Sequence, residues 1–289
     1  MAPPVKLVVA FVFAAVVVVF PVGSSAELPR LEHPPTKADG SLTVLAVGDW
    51  GRRGQFNQSM VAEQMGIIGK KMDIDFVVNV GDNFYKNGLT GVDDKAFEES
   101  FTNIYTAESL QKPWYTNFFF IDTTPFVLKY WNEPKNDTYD WRGVAPREAY
   151  IANVLKDLNA ALKQSKATWK IVIGHHAIRS VSNHGDTQEL VQQLLPILKA
   201  NGVDMYINGH DHCLEHISSR DSSIQYLTSG GGSKAWRGSF TPNTDKLEFF
   251  YDGQGFMSLQ LTKTEAHLAF YDVAGTVLHS WGLTKGTYY

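Results

Sequence analysis

Four short apolar runs in this chain each end in glycine followed by a residue able to hold a metal ion. Residues 43–47 lead into Gly48-Asp49, 76–80 into Gly81-Asp82, 170–173 into Gly174-His175 and 205–208 into Gly209-His210. A strand that ends this way delivers its last side chain to the rim of a sheet, where α/β folds bind ligands. Glycine lets the chain turn sharply there and approach an ion closely. One Gly-Asp after a strand is an ordinary turn, whereas four such endings point to a shared site. Further donors stand at short offsets: Tyr85 after Asp82, His176 beside His175, and His212 after His210. Carboxylate, imidazole and phenol together suit hard or borderline ions such as ferric iron, zinc or manganese. The single cysteine, Cys213, argues against a structural zinc site of clustered thiolates and permits no internal disulfide.

Such loops need strands and helices to aim them. From Leu42 onward, β-branched or apolar runs alternate with segments of helical period, the pattern of a layered α/β domain. Helical stripes run through Val61, Met65, Ile68 and Met72; through Ile151, Leu155, Leu158 and Leu162; and through Leu190, Leu194 and Ile197. Asp186 with Glu189 resembles a capping box and sets the start of the last helix near Thr187. Beyond Gly209 the helical period fades, and 224–228, 256–261, 267–270 and 277–281 read as strands of a mostly antiparallel meander. The simplest architecture that buries both runs and stripes is two packed mixed β-sheets flanked by helices.

The chain has 289 residues, 44% hydrophobic and 19% charged, a composition able to bury a globular core and not that of a disordered chain. Its formal charge of −4 gives no electrostatic reason for binding nucleic acid. At the amino end, Lys6 precedes the apolar run 7–20, then Pro21, Val22, Gly23, Ser24, Ser25 and Ala26. The run falls short of the roughly 20 residues that span a bilayer, and the small residues after it suit a signal peptidase. The expected organisation is a signal peptide at 1–26, a polar lead-in at 27–41, and one domain at 42–289. Entry into the secretory pathway, without stable membrane insertion, follows from that reading. Asn57-Gln58-Ser59 and Asn136-Asp137-Thr138 are sequons for glycosylation.

The loops and their neighbours resemble a known family. Gly48-Asp49-Trp50-Gly51, Gly81-Asp82-Asn83-Phe84-Tyr85, Gly174-His175-His176 and Gly209-His210-Asp211-His212 are similar to motifs of the purple acid phosphatases, in particular the small single-domain type of plants within the calcineurin-like metallophosphoesterases. The resemblance runs from about Leu42 to the carboxyl terminus, and Asp122-Thr123-Thr124-Pro125 agrees with it. It implies a metallophosphoesterase sandwich that hydrolyses phosphomonoesters, secreted or vacuolar, by attack of a metal-activated hydroxide. It also implies Fe(III) on Asp49, Tyr85 and His212, with Asp82 bridging to a divalent iron, zinc or manganese that also takes His175 and His210. His184 resembles a family histidine near the substrate phosphate. His176 and His216 read as structural hydrogen-bonding residues. Two cations can clamp a phosphate ester and neutralise its developing charge, and a tyrosinate on ferric iron gives a charge-transfer colour.

One family motif is missing. Gly-Asn-His followed by Asp or Glu is expected after a phrase like Trp114-Tyr115, but Thr116, Asn117 and Phe118 follow instead and run into a strand at 118–122. The junction reads as the loss of a segment of roughly 30 residues or more, about the size of a βαβ unit. The motif's asparagine, a ligand of the second metal, and its histidine then have no counterpart, and part of the core is deleted. Phe118, Phe119 and Phe120 are left at a sheet edge, an aggregation hazard. The alternative is therefore a catalytically inactive isoform that binds iron.

Overall fold

The computed structural model describes residues 36–115, 119–133 and 139–286. The expected signal peptide, Asn117, Phe118 and the Asn136 sequon lie outside the described residues. Two six-stranded mixed sheets make up the fold. The first has the order β12, β11, β10, β1, β2, β3, and the second β4, β5, β6, β8, β7, β9. β1 (Leu42–Val47), β2 (Phe76–Asn79) and β3 (Trp114–Tyr115) run parallel. So do β4 (Phe119–Ile121), β5 (Ile171–Gly174), β6 (Met205–Asn208) and β8 (Gln225–Ser229). β7 (Leu214–Ser218) pairs antiparallel with β8 and with β9 (Lys246–Tyr251). β10 (Gly255–Leu261), β11 (Glu265–Asp272) and β12 (Val277–Thr284) form an antiparallel meander joined to β1 through β10.

The side-chain alternation of a strand divides β1 between two cores. Val44 and Ala46 face Ile171, Ile173, Met205 and Ile207 between the sheets. Leu45 and Val47 face Val61, Met65 and Ile68 of α1 (Gln58–Met72) on the outer side. The second sheet is covered in the same way: Val172 and Tyr206 pack against Leu158 and Leu162 of α3 (Arg147–Gln164), Leu190 of α4 (Gln188–Gln193) and Leu198 of α5 (Leu195–Ala200). A short α2 (Lys129–Asn132) precedes them. Strands covered on both faces read as unbroken apolar runs, which is why β1, β2, β5 and β6 were visible in the sequence.

Three details differ from expectation. The stripe through Leu190, Leu194 and Ile197 is two helices, because Pro196 stands in the first turn of α5 and cannot donate the bond that would continue α4. The helix starts beside Thr187 as expected, but Asp186 does not cap it. Its carboxylate accepts from the backbone of Ser180 at 3.1 Å and binds Arg179 at 2.6 Å. The carboxyl-terminal strands divide between both sheets instead of forming one meander: β8 runs parallel to β6, and β7 and β9, which the sequence pattern does not mark as strands, extend that second sheet. β7 carries Glu215 and His216 among its buried residues, which hides its period.

β3 and β4 are the outer strands of their respective sheets, and only residues 116–118 separate them in the chain. The expected edge is thus present, with Phe119 and Phe120 half-buried upon it.

Candidate metal centre

β1 and β2 in one sheet, and β5 and β6 in the other, end at the same rim. Beyond β1, β2 and β6 the chain bends abruptly: Asp49, Asp82 and His210 sit at φ of 60°, 48° and 68°. This left-handed region is costly for residues other than glycine, and such strain collects at functional sites. Gly209 has no room for a Cβ, which would enter the place of the Asp49 carboxylate. The backbone of His210 donates to Asp49 Oδ2 at 2.9 Å.

Six of the expected donors converge. Tyr85 Oη lies 2.9 Å from Asp49 Oδ1, 2.9 Å from Asp82 Oδ2 and 3.0 Å from His212 Nε2. His212 Nε2 is 3.3 Å from Asp49 Oδ1. The other oxygen of Asp82 faces His175 Nε2 at 3.3 Å, and that nitrogen is 3.3 Å from His210 Nδ1. His175 Nδ1 donates to the carbonyl of Val80 at 3.0 Å, which leaves the Nε2 lone pair aimed into the site, the arrangement typical of a metal-binding histidine. Metal bonds of about 2.0–2.2 Å at right angles separate neighbouring donors by about 3 Å, so the spacing fits a cation among them. Asp49, Asp82 and His175 offer ligand atoms within 4.8 Å of one another.

The electrostatics agree with this fit. Burial raises the pKa of the Tyr85 phenol, and the Asp49 and Asp82 charges raise it further, so ionisation there needs a cation. Burial, then His176 and His175, hold His210 well below the ordinary imidazole range. Burial works against protonation of His175 too, but Asp49 and Asp82 outweigh it and raise its pKa. Asp49 is fully buried, while the Asp82 side chain is 47% exposed, so the site opens on the Asp82 side. A cleft of about 280 Å³ lined by Asp82, Asn83, Tyr85 and Lys86 lies there. A larger hollow of about 450 Å³ on β10–β12 contains none of these donors.

The remaining histidines are placed differently. His184 stacks on His210, with centroids 4.1 Å apart, and its backbone donates to Asp211 Oδ1 at 2.9 Å. His176 has both ring nitrogens engaged, by Thr123 at 2.8 Å and Tyr130 at 3.0 Å. His216 is likewise held by His279 and Gln225. Sequence reasoning missed Trp236, which stacks on His212 at 3.9 Å, and Arg52, which lies over the Tyr85 ring. The glycine run 230–232 was an available signal for the Trp236 loop: Gly232 bonds to the carbonyl of Gly48 at 3.0 Å, and Ser233 bonds to that of Asp49.

Residues 92–214 match the calcineurin-like phosphoesterase family. Purple acid phosphatase 3 of Arabidopsis thaliana is 51% identical, over 97% of this chain and 87% of that protein. The chain therefore belongs to the purple acid phosphatases. Two solved structures share the fold. The purple acid phosphatase PPD1 from yellow lupin seeds gives a TM-score of 0.57 at 16% identity, over 88% of this chain and 55% of that one. GAP50, the anchor in the inner membrane complex of Plasmodium, gives 0.72 at 22% identity over 86% and 90%. The Arabidopsis comparison spans 322 aligned positions against a chain of 289 residues, so that relative carries residues with no counterpart here.

The loop bearing His184 rests on a buried acid. Glu215 accepts from the backbone of Val181 at 2.6 Å, and burial, followed by the nearby Asp211, pushes its pKa up to about 8 from 4.5. Between those values the folded state keeps a proton that the unfolded state has lost. Stability should therefore fall as pH rises from about 4.5 to about 8, by up to about 1.4 kcal/mol per pH unit from this group. Glu215→Gln should remove that slope in denaturant titrations at successive pH values. A wild-type slope unchanged in the variant would contradict the assignment.

Proposed function

We propose that the chain is an acid phosphatase for phosphomonoesters whose ferric ion is held by Asp49, Tyr85 and His212. Asp82 bridges to a divalent iron, zinc or manganese that also takes His175 and His210. The observation that carries this reading is the placement of Tyr85 Oη within 3.0 Å of Asp49, Asp82 and His212, with the second oxygen of Asp82 turned to His175. When bound, such an ion pair clamps a phosphate ester, neutralises its developing charge and supplies the nucleophile.

The chain's own residues divide the remaining work. Asp82 spends one oxygen on each half of the site. His184, held by Asp211 through its backbone and pushed toward the neutral form by burial, is assigned to the phosphate. Trp236 stacks on one face of the buried His212 and meets the exposed His184 ring at 4.9 Å between centroids.

β3 runs parallel to β2, so its carboxyl end reaches the rim that carries Asp82. We place the missing motif there, between Tyr115 and β4, with the loss of one amide ligand and one phosphate-binding histidine. The short passage from β3 to β4 also favours the second reading, an iron-binding isoform without turnover. The chain is assigned to the secretory pathway, secreted or vacuolar, as a glycoprotein carrying sugar at the exposed Asn57. No helix among the described residues is long and apolar enough to cross a membrane. Sequencing of mature protein should begin near Glu27, and a membrane-embedded chain still starting at Met1 would refute the cleavage.

Loss of metal-site support costs about 10 to 100-fold, and loss of a proton-transfer group about 10² to 10⁴. Turnover of an aryl phosphate at acid pH by metal-loaded, monodisperse protein should thus lie roughly a thousandfold or more below an intact relative. Equal turnover would mean that another side chain replaces the lost asparagine. Iron-loaded protein should also show a visible tyrosinate-to-ferric band, which Tyr85→Phe abolishes. A band that survives the substitution would put the phenolate elsewhere.

A further inference from the structure

Arg52 directly follows the loop that carries Asp49; its carbonyl accepts from the backbone of Gln55 at 3.0 Å, and Gln58 and Tyr85 hold the backbone around it. Buried Gln58 accepts from the N–H groups of Arg52 and Gly54 with one oxygen, at 3.0 and 2.8 Å, and donates to the carbonyl of Ser100 at 2.7 Å. Gly51 forms an isolated bridge to Phe84, and its carbonyl accepts from the backbone of Tyr85 at 3.0 Å. The Asp49 and Tyr85 loops are thereby stitched together. This brings the guanidinium carbon of Arg52 to 3.6 Å from the centroid of the Tyr85 ring.

An arginine beside a carboxylate-rich site would ordinarily form a forked ion pair. Here Nε is buried with no hydrogen-bond partner among the described residues, and the charge lies on a ring face instead, a cation–π arrangement. Phe56 is also near, its ring centroid 5.7 Å from the same guanidinium carbon. Phe56 is unusual twice over: it is 50% exposed, and its φ is 54°, a genuine outlier for a bulky side chain. Both features are accounted for if Phe56 is placed to pack beside Arg52.

We propose that Arg52, placed over the Tyr85 ring with Phe56 beside it, is a positioning and tuning residue for Tyr85, which sets how strongly the phenolate donates electrons to a bound ferric ion. The proposal rests on Tyr85 being a ferric ligand. A positive charge on the ring face is nearer to the donor electrons than to an ion beyond the phenol oxygen. It therefore lowers the donor level more than the acceptor level, and the charge-transfer band moves to shorter wavelength. Removing the charge should reverse that shift.

The test is the visible spectrum of the full chain, reconstituted with iron and matched by metal analysis. Arg52→Met, which keeps an apolar stem but no charge, should move the band maximum to longer wavelength at equal iron content. Arg52→Lys should restore most of the wild-type position. Phe56→Leu, which exposes Arg52 to water, should give a smaller shift in the same direction, and it decides the matter if Arg52→Met fails to keep its iron. A band that does not move in Arg52→Met, or in Phe56→Leu where the former loses metal, overturns the proposal while leaving Tyr85 as the ligand. An iron-loaded wild type with no band overturns the Tyr85 assignment itself, and this proposal with it.

Discussion

The phenol of Tyr85 touches two carboxylates and an imidazole at about hydrogen-bond distance, and the rest of the molecule is arranged to make that convergence possible. Donor atoms of this kind repel one another when ionised, so they stay together only if the backbone beneath them is rigid or a cation lies among them. Both sheets contribute. Asp49 and Asp82 come from the ends of β1 and β2, and His175 and His210 from the ends of β5 and β6. The apolar layer formed by Val44, Val78, Ile173 and Ile207 between them therefore determines the spacing of the site as well as the stability of the fold. A cavity in that layer would be felt at the rim, because interiors packed to crystal density transmit strain.

The same layout explains why so much of the site survives a shortened chain. The six converging donors depend on β1, β2, β5 and β6, each of which has a strand neighbour on both sides. The short passage at 116–118 joins β3 to β4, which each pair on one side only. A segment lost at this edge, as proposed above, would take with it whatever it aimed at the rim and leave the central donors in register. The cost falls on Phe119 and Phe120, which lie half-buried on an open strand, and open apolar edges invite association.

Much of this was legible in the sequence for a physical reason. Strands buried on two faces give unbroken apolar runs, and the Gly-Asp and Gly-His endings mark where those runs stop. The same reasoning failed where side chains act against type. β7 is a fully interior strand that carries Glu215 and His216, so its polarity hid it. Pro196 divides one apolar stripe into two helices without disturbing its period. Trp236 and Arg52 act through ring faces, an interaction with no characteristic spacing along the chain, and only the folded arrangement brings them to His212 and Tyr85.

The two halves of the site differ in charge, and that difference bears on the proposed metals. Around Tyr85 stand two carboxylates and a phenol, a set that carries three negative charges when fully ionised and so matches a trivalent ion. Around His175 and His210 the imidazoles bring no charge in their neutral form and share only the Asp82 carboxylate, a set better balanced by a divalent ion. Burial and neighbouring imidazoles hold His210 toward that neutral state. Asp82 is then the link between the halves, because one of its oxygens faces Tyr85 and the other faces His175. Arg52 enters this balance as a cation placed on the Tyr85 ring. It offsets part of the negative charge on the side where the donors are most crowded, without competing for their lone pairs.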